Sequence, residues 1–145
     1  MTNLLFQFRL QSRHGAAGES LSVDFRTGEQ EPWQPLEPGL RTPGFRLFLL
    51  SLLLCQHHDL VANALERHLP LAAVDGVLSV TASADWMVEA VEGSFQVRLE
   101  AADGAATPDL DEPSRAFLER RMQVCPVSRN LPGTVTKSIV VQAAG

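Results

Sequence analysis

The sequence has only two cysteines, no basic stretch and no apolar run long enough to cross a membrane. Two cysteines are too few for a secreted scaffold held together by disulfides. With a formal net charge of -5, the chain lacks the positive charge that neutralises phosphates, so nucleic-acid binding is disfavoured. The strongest apolar run, residues 47–55, is shorter than the roughly 20 residues that a transmembrane helix needs.

The start of the sequence lacks the features of a signal peptide. Residues 1–5 show no basic region followed by a continuous apolar run. We therefore expect a cytoplasmic protein that has neither a membrane nor a nucleic acid as a partner. In a reducing compartment, two cysteines are by default two buried thiols.

Metal ligands are sparse as well. Neither cysteine lies in a Cys-x-x-Cys pair, and the four histidines are not placed to complete a zinc site with the cysteines. His57 and His58 are adjacent, so on a helix their side chains point about 100° apart and do not share one ligand face. We expect no metal site and no cofactor.

The remaining composition is that of a globular protein. The chain has 145 residues, of which 45% are hydrophobic and 20% charged. This length and balance predict a single domain, residues 1–145, with a sizeable core.

Alternating residues at the start of the chain predict a β-hairpin. Apolar and polar residues alternate over residues 4–10 and again over 21–25, and the turn Ser-Arg-His-Gly at residues 12–15 lies between them. Residues 31–44 contain four prolines and are expected to form a long loop with a functional or interface role.

Further strands are expected in the second half. Residues 77–91 and 95–99 contain β-branched or alternating stretches, with a predicted turn at residues 92–94. Residues 134–142 are β-branched and alternating, which predicts a last strand.

Two helices are predicted. Residues 45–69 form one long helix that Pro70 ends, and its first half is apolar on almost every side, which is typical of a helix buried all round. Residues 112–124 form a second helix, with Pro113 in its first turn. The order of elements indicates an α+β fold with antiparallel sheets around a long buried central helix. A domain of this size does not cover such a helix alone, so an intertwined homodimer is expected.

The two cysteines differ in their surroundings. Cys55 lies mid-helix, where burial makes a thiol inert unless a cation stands nearby, and arginine suits that role because it stays charged when buried. Cys125 directly precedes Pro126 and is placed to cap a short helical turn through Asn130, where the helix N-terminus favours thiolate. Either thiol could equally be a small apolar residue of the core.

Three segments carry a resemblance to a known family. Residues 125–131, Cys-Pro-Val-Ser-Arg-Asn-Leu, followed by Gly133 and a β-branched strand, resemble the C-terminal signature of the OsmC/Ohr family. Residues 42–55 are similar to the start of that family's central helix, which ends in its first cysteine. Residues 12–15 resemble the turn of its N-terminal hairpin, and the order of elements fits over nearly the whole chain.

The resemblance implies an OsmC-like fold and a homodimer with sites at the subunit interface. It also implies a two-cysteine peroxidase in oxidative-stress defence that reduces organic hydroperoxides and is regenerated by an external dithiol, without metal or flavin. By position, Cys55 corresponds to the peroxide-attacking thiol, Cys125 to the resolving thiol and Arg13 to the activating arginine.

The sequence departs from the family at one point. Family members usually carry Pro-Glu ten residues before the first cysteine, and the glutamate pairs with the arginine; here these positions are Gly44 and Phe45. Asp24 or Glu19 could substitute for the missing carboxylate.

The cation and the function therefore have alternatives. Arg46 or Arg129 could replace Arg13, and His58, three residues after Cys55, could assist a thiolate. In place of an enzyme, the chain could be a catalytically impaired OsmC-like dimer that binds a small molecule, or a structural dimer with two inert thiols.

Overall fold

The computed structural model describes residues 3–15, 18–102 and 104–144. Within these ranges the chain forms six strands and three helices. In chain order, they are β1 (Leu4–Arg13), β2 (Ser20–Arg26), β3 (Gln34–Pro35), α1 (Gly44–Glu66), β4 (Leu71–Ala82), β5 (Val88–Leu99), α2 (Glu112–Gln123), α3 (Pro126–Arg129) and β6 (Thr136–Ala143).

The strands form one sheet in the order β3-β2-β1-β4-β5-β6. The predicted hairpin of β1 and β2 is confirmed. All neighbouring strands are antiparallel except β5 and β6, which are parallel. The α+β class is thus confirmed, but the expectation of several antiparallel sheets is wrong: the described strands make a single mixed sheet. The helical segments between β5 and β6 explain this, because a parallel pair needs a long crossover.

The core lies between one face of the sheet and the helices. Side chains on this face alternate with polar residues along each strand, as in β5, where every second residue is buried. Phe8, Leu78 and Phe95 are fully buried there, together with Leu52, Leu53 and Leu60 of α1. The opposite face of the sheet carries mainly polar side chains.

The long helix ends three residues earlier than predicted, and Pro70 does not end it. His68 adopts a left-handed conformation with a φ of 59°. Its backbone N–H donates to the Leu65 carbonyl at 3.0 Å, and the Leu69 N–H donates to the Ala64 carbonyl at 2.8 Å. This pair of bonds is a Schellman motif, which satisfies the last carbonyls of the helix before the proline is reached.

Only one face of α1 is buried within the chain, so the expectation of burial on every side is not met by a single copy. Leu47, Phe48, Leu54 and Leu65 remain 37–75% exposed. By length and composition α1 also suits a membrane span, with a mean hydropathy of 1.2. Core helices pass the same test, and seven residues of α1 are buried against the rest of the chain.

The turn between β4 and β5 is not where the sequence predicted it. Residues 92–94 lie inside β5, and the chain reverses near Trp86, which has a φ of 67°. Trp86 is 53% exposed, and the centre of its ring lies 5.6 Å from that of the Phe6 ring. Gly93 is not a turn residue. It is a glycine because a Cβ at this position would lie only 2.7 Å from the Gln56 side chain.

The last two helices follow the sequence signals closely. The Asp111 carboxylate accepts a hydrogen bond from the Ser114 backbone N–H at 2.8 Å and caps α2, and Pro113 lies in the first turn. Cys125 is the N-cap of α3, and Asn130 is its C-cap, as predicted.

Candidate functional site

The two cysteines lie side by side although they are far apart in the sequence. Cys55 is on α1 and Cys125 is the residue before α3. Their Sγ atoms and a carboxylate oxygen of Asp59 all lie within 4.8 Å of one another. The structure thus brings together two of the three residues predicted to form the site, and it adds an aspartate.

The two thiols have different environments. Cys125 is fully buried, whereas Cys55 is partly exposed. Burial, assisted by the neighbouring Cys55 and Asp59, raises the pKa of Cys125 to about 12, and the hydrogen bond from the backbone N–H of Ser128 opposes this rise. The predicted cap position is therefore correct, but the predicted stabilisation of a Cys125 thiolate is wrong, because burial outweighs the four-residue helix.

Asp59 is the site residue that the sequence analysis missed. It lies four residues after Cys55, so both side chains project from the same face of α1. Burial raises the pKa of Asp59, and the charges of His58 and Arg121 oppose this rise. The spacing Cys-x-x-x-Asp was the available signal, but nothing in the sequence showed that Cys125 would meet this face.

A polar bridge joins α1 to α2 beside the thiols. Asn63 donates through Nδ2 to the Asp59 backbone carbonyl at 2.7 Å and accepts from Arg121 Nε at 2.9 Å. The guanidinium of Arg121 also lies 3.9 Å from Glu66. This bridge fixes the turn of α1 that carries Asp59, and it places a positive charge near the site that comes from α2.

Arg13 is not brought to the thiols within one chain. It is the last residue of β1, and because Ser12 points to α1, Arg13 points to the opposite face of the sheet. There its guanidinium donates to the Ser12 carbonyl at 2.8 Å and lies 3.4 Å from Asp75. Asp24 does not substitute for the missing family glutamate, since it pairs with Arg9 at 2.6 Å. The role of Arg13 in activation stays a prediction.

The other cations considered from sequence have different surroundings. The guanidinium of Arg46 lies 4.0 Å from the centre of the Phe25 ring. Arg129 is exposed on α3. Among the residues that the structure describes, no hydrogen bond or ion pair joins an arginine side chain to the thiols or to the Asp59 carboxylate.

A histidine pair occupies the other side of α1. The Ser12 hydroxyl lies 2.8 Å from His14 Nε2 and 2.9 Å from His57 Nε2. Burial, followed by the charges of His14 and His58, lowers the pKa of His57 to about 4. These residues line an open pocket of about 420 Å³ that also includes Glu19, Leu21 and Leu54.

A second cavity lies between α1 and the strands β5 and β6. It measures about 240 Å³ and is lined by Gln56, Ser128 and Lys137, among others. Gln56 is 2% exposed, and its Oε1 has no hydrogen-bond partner among the described residues. Neither cysteine is among the described residues that line this cavity, although Gln56 follows Cys55 in the chain.

Comparison with known proteins identifies the fold. No family sequence model matches the chain, and no curated protein matches it by sequence. A Psychrobacter arcticus 273-4 structure, named for an osmotic stress induced and detoxification response, superposes with a TM-score of 0.58 at 13% identity, covering 83% of this chain and 88% of that one. An OsmC-like hydroperoxide resistance protein from Jannaschia sp. CCS1 gives 0.53 at 19% identity, covering 89% and 86%.

Proposed function

We propose that this chain, which has the OsmC-like fold that its sequence resembled, is a hydroperoxide reductase of the two-cysteine type. The observation that carries the proposal is the contact between Cys55 and Cys125. The likeness to an OsmC-like hydroperoxide resistance protein supports the same substrate class.

The position of the two sulfurs suits reversible disulfide formation. A disulfide needs Cα atoms within about 7 Å and sulfurs that can close to about 2.05 Å. The Sγ atoms already lie within 4.8 Å of each other, and the two cysteines belong to α1 and to the start of α3, so closure need not involve the sheet. If the two thiols were only inert core residues, nothing would require their sulfur atoms to lie next to each other.

The different environments assign a different role to each thiol. Cys55 is partly exposed and can be reached by a peroxide. Cys125 is fully buried, and with a pKa raised to about 12 it stays protonated at neutral pH. Because the thiolate is the attacking form, Cys55 is the peroxide-attacking residue and Cys125 the resolving one.

In the proposed reaction, one hydroperoxide is reduced to alcohol and water while the two thiols are oxidised to a disulfide. The Cys55 thiol first releases its proton, and the resulting thiolate attacks the terminal peroxide oxygen. The O–O bond breaks, the alkoxide takes up one proton from the solvent and leaves as alcohol, and Cys55 becomes a sulfenic acid. The Cys125 sulfur then forms a bond with the Cys55 sulfur, and water leaves. An external dithiol restores both thiols by exchange and is itself oxidised to a disulfide.

Asp59 is placed to handle protons in the second step. Its carboxylate lies within 4.8 Å of both sulfurs. Since burial raises its pKa, Asp59 is a stronger base than an exposed aspartate and can take the proton that Cys125 loses when the disulfide forms. Arg121 supplies positive charge near this carboxylate. Arg13 lies on the other face of the sheet, so an activating role for it depends on a second subunit.

The surroundings of Cys55 favour organic hydroperoxides. Phe48 lies seven residues before Cys55, on nearly the same face of α1, and is 43% exposed. Leu54 directly precedes Cys55 in the sequence and is 37% exposed. These apolar side chains can contact the alkyl group of an organic hydroperoxide and so strengthen its binding, whereas hydrogen peroxide has no such group.

A second copy of the chain is the occupant that we propose for the exposed face of α1. Four residues of this face follow one another at intervals of seven, four and seven positions: Leu47, Leu54, His58 and Leu65. Such spacing is typical of the contact line between two packed helices. Such a homodimer would cover the apolar face next to Cys55. We further propose that the protein works in the cytoplasm, where external dithiols are available.

The test is consumption of cumene hydroperoxide with dithiothreitol in buffer that contains a chelator. The wild type should turn over, and Cys55→Ser should fall to the rate without protein. Cys125→Ser should react once with peroxide and accumulate sulfenic acid when no thiol is present. Turnover by Cys55→Ser at the wild-type rate would exclude the mechanism. Two free thiols persisting in the wild type after stoichiometric peroxide would instead favour either the small-molecule-binding dimer or the structural dimer with two inert thiols.

A further inference from the structure

We propose that, in the reduced protein, Cys55, Asp59 and Cys125 form a binding site for a single Zn²⁺ ion. This site goes beyond peroxide reduction, and it departs from the expectation, drawn from the sequence, that the protein has no metal site. The observation behind it is the convergence of three donor atoms from two separate segments, α1 and the N-cap of α3.

The geometry is close to that of a tetrahedral zinc site. Zn–S bonds of about 2.3 Å and Zn–O bonds of about 2.1 Å place the ligand atoms of such a site roughly 3.6–3.8 Å apart. The three atoms already lie within 4.8 Å of one another. Bound zinc would therefore draw each pair together by about 1 Å at most, which side-chain rotation can supply. Cys55 and Asp59 lie one helical turn apart, a spacing that offers both to one ion.

The two sulfurs and the carboxylate are donors that favour a cation, and in particular a transition metal or zinc. Three groups that become negative on losing a proton stand together, and among the described residues no ion pair neutralises them. Two thiolates favour a soft or borderline metal over Mg²⁺ or Ca²⁺, and one carboxylate completes a set that Zn²⁺ accepts. Three protein ligands leave the fourth position to a water molecule, and the partial exposure of Cys55 gives the ion a path to the site.

Zinc and the disulfide exclude each other because they use the same sulfurs. Bound zinc would withhold the Cys55 sulfur from peroxide, so the metal-loaded protein would be inactive as a reductase. Conversely, once a hydroperoxide has oxidised the metal-free thiols to the disulfide and has itself been reduced to alcohol and water, neither sulfur is a thiolate that can bind Zn²⁺. This coupling rests on the proposed peroxidase activity, whereas the metal site itself does not.

The experiment titrates reduced, chelator-treated protein with Co²⁺, a spectroscopic probe of tetrahedral thiolate sites, and then displaces it with Zn²⁺. We expect one equivalent per chain, a thiolate-to-cobalt absorption band and its loss on adding zinc. Asp59→Asn should weaken binding at least about tenfold, by analogy with the effect of losing supporting groups at metal sites, and Asp59→Glu should restore much of it. The matched control is Asp85→Asn, the same change at an exposed aspartate in the turn before β5.

Two results would overturn the site: a wild type without the cobalt–thiolate band, or an Asp59→Asn variant that is folded by circular dichroism and binds as tightly as the wild type. Cys125→Ser provides a second variant, which should also lose the band. Peroxide consumption in chelator is measured separately. An active enzyme without metal binding would refute only this inference, and metal binding by an inactive chain would refute only the proposed function.

Discussion

Asp59 lies one helical turn beyond Cys55, so a carboxylate stands beside the thiols where the family resemblance led us to expect a guanidinium. The arginine that the resemblance indicated is on the other face of the sheet, and the glutamate expected ten residues before Cys55 is replaced by phenylalanine. The chain has the OsmC-like fold, but the charged groups around its cysteine pair differ from the family pattern.

The first prediction concerns proton transfer by Asp59. Asp59→Asn should slow disulfide closure by roughly 10²-fold, because the amide cannot accept the proton that Cys125 loses. Peroxide attack by Cys55 should change much less. Stopped-flow measurement after one equivalent of cumene hydroperoxide in chelator separates the two steps. Asp85→Asn should behave as the wild type, and equal closure rates in Asp59→Asn and the wild type would show that Asp59 has no such role.

Stability should fall at alkaline pH because of Cys125. Its pKa is raised from 9.0 to about 12, so above pH 9 the unfolded chain releases a proton that the native state keeps. The free energy of unfolding should therefore be unaffected by this group below pH 9 and decline between pH 9 and 12. With no tyrosine and a single lysine, the chain has few other groups that titrate there.

Cys125→Ala is the variant that isolates this effect. Chemical denaturation at several pH values should give a shallower alkaline decline for Cys125→Ala than for the wild type, whatever the stability of the variant at pH 7. Parallel declines in the two proteins would mean that Cys125 does not resist ionisation in the native state.

The core contains a glycine whose replacement should be costly. The Phe95 ring on β5 lies over Gly76 on β4, and a Cβ at Gly76 would stand 2.8 Å from two of its atoms. Gly76→Ala should lower the free energy of unfolding by about 1–3 kcal/mol, since overpacking forces the fully buried ring to move. Gly133→Ala, where a Cβ meets nothing within 4 Å, is the control. Similar stabilities for the two variants, by urea denaturation, would contradict this packing.

The proposed homodimer predicts which leucines cannot be replaced by a charged residue without loss of the dimer. Leu54→Lys places a cation in the apolar seam of α1 and should convert the dimer to a monomer, as measured by sedimentation. Leu40→Lys, in the loop before α1 and fully exposed, should leave the dimer intact. A wild type that is monomeric at micromolar concentration would refute the proposed contact.

The sequence was most informative where a local rule decides the structure. Alternation predicted β1 and β2, and the proline after Cys125 predicted α3 with its cap. Local rules failed where distant contacts decide. Gly93 resembled a turn residue, but it lies within β5 because Gln56 occupies the space above it.

The site could be predicted only in part for the same reason. The family-like contexts of Cys55 and Cys125 indicated that these residues belong together, and the structure places them in contact. The contribution of Asp59 depends on which face of α1 meets α3, and no periodicity along the chain encodes that. The face of the sheet on which Arg13 lies was, by contrast, already contained in the alternation of β1: Phe8 and Leu10 face the core, so residue 13 lies on the opposite face.

The most direct test of the cysteine pair is the intact mass of the reduced protein before and after one equivalent of cumene hydroperoxide. The proposed mechanism predicts the loss of two hydrogen atoms in the wild type, through an internal disulfide between Cys55 and Cys125, and the gain of one oxygen atom in Cys125→Ser. An unchanged mass in both proteins would contradict it.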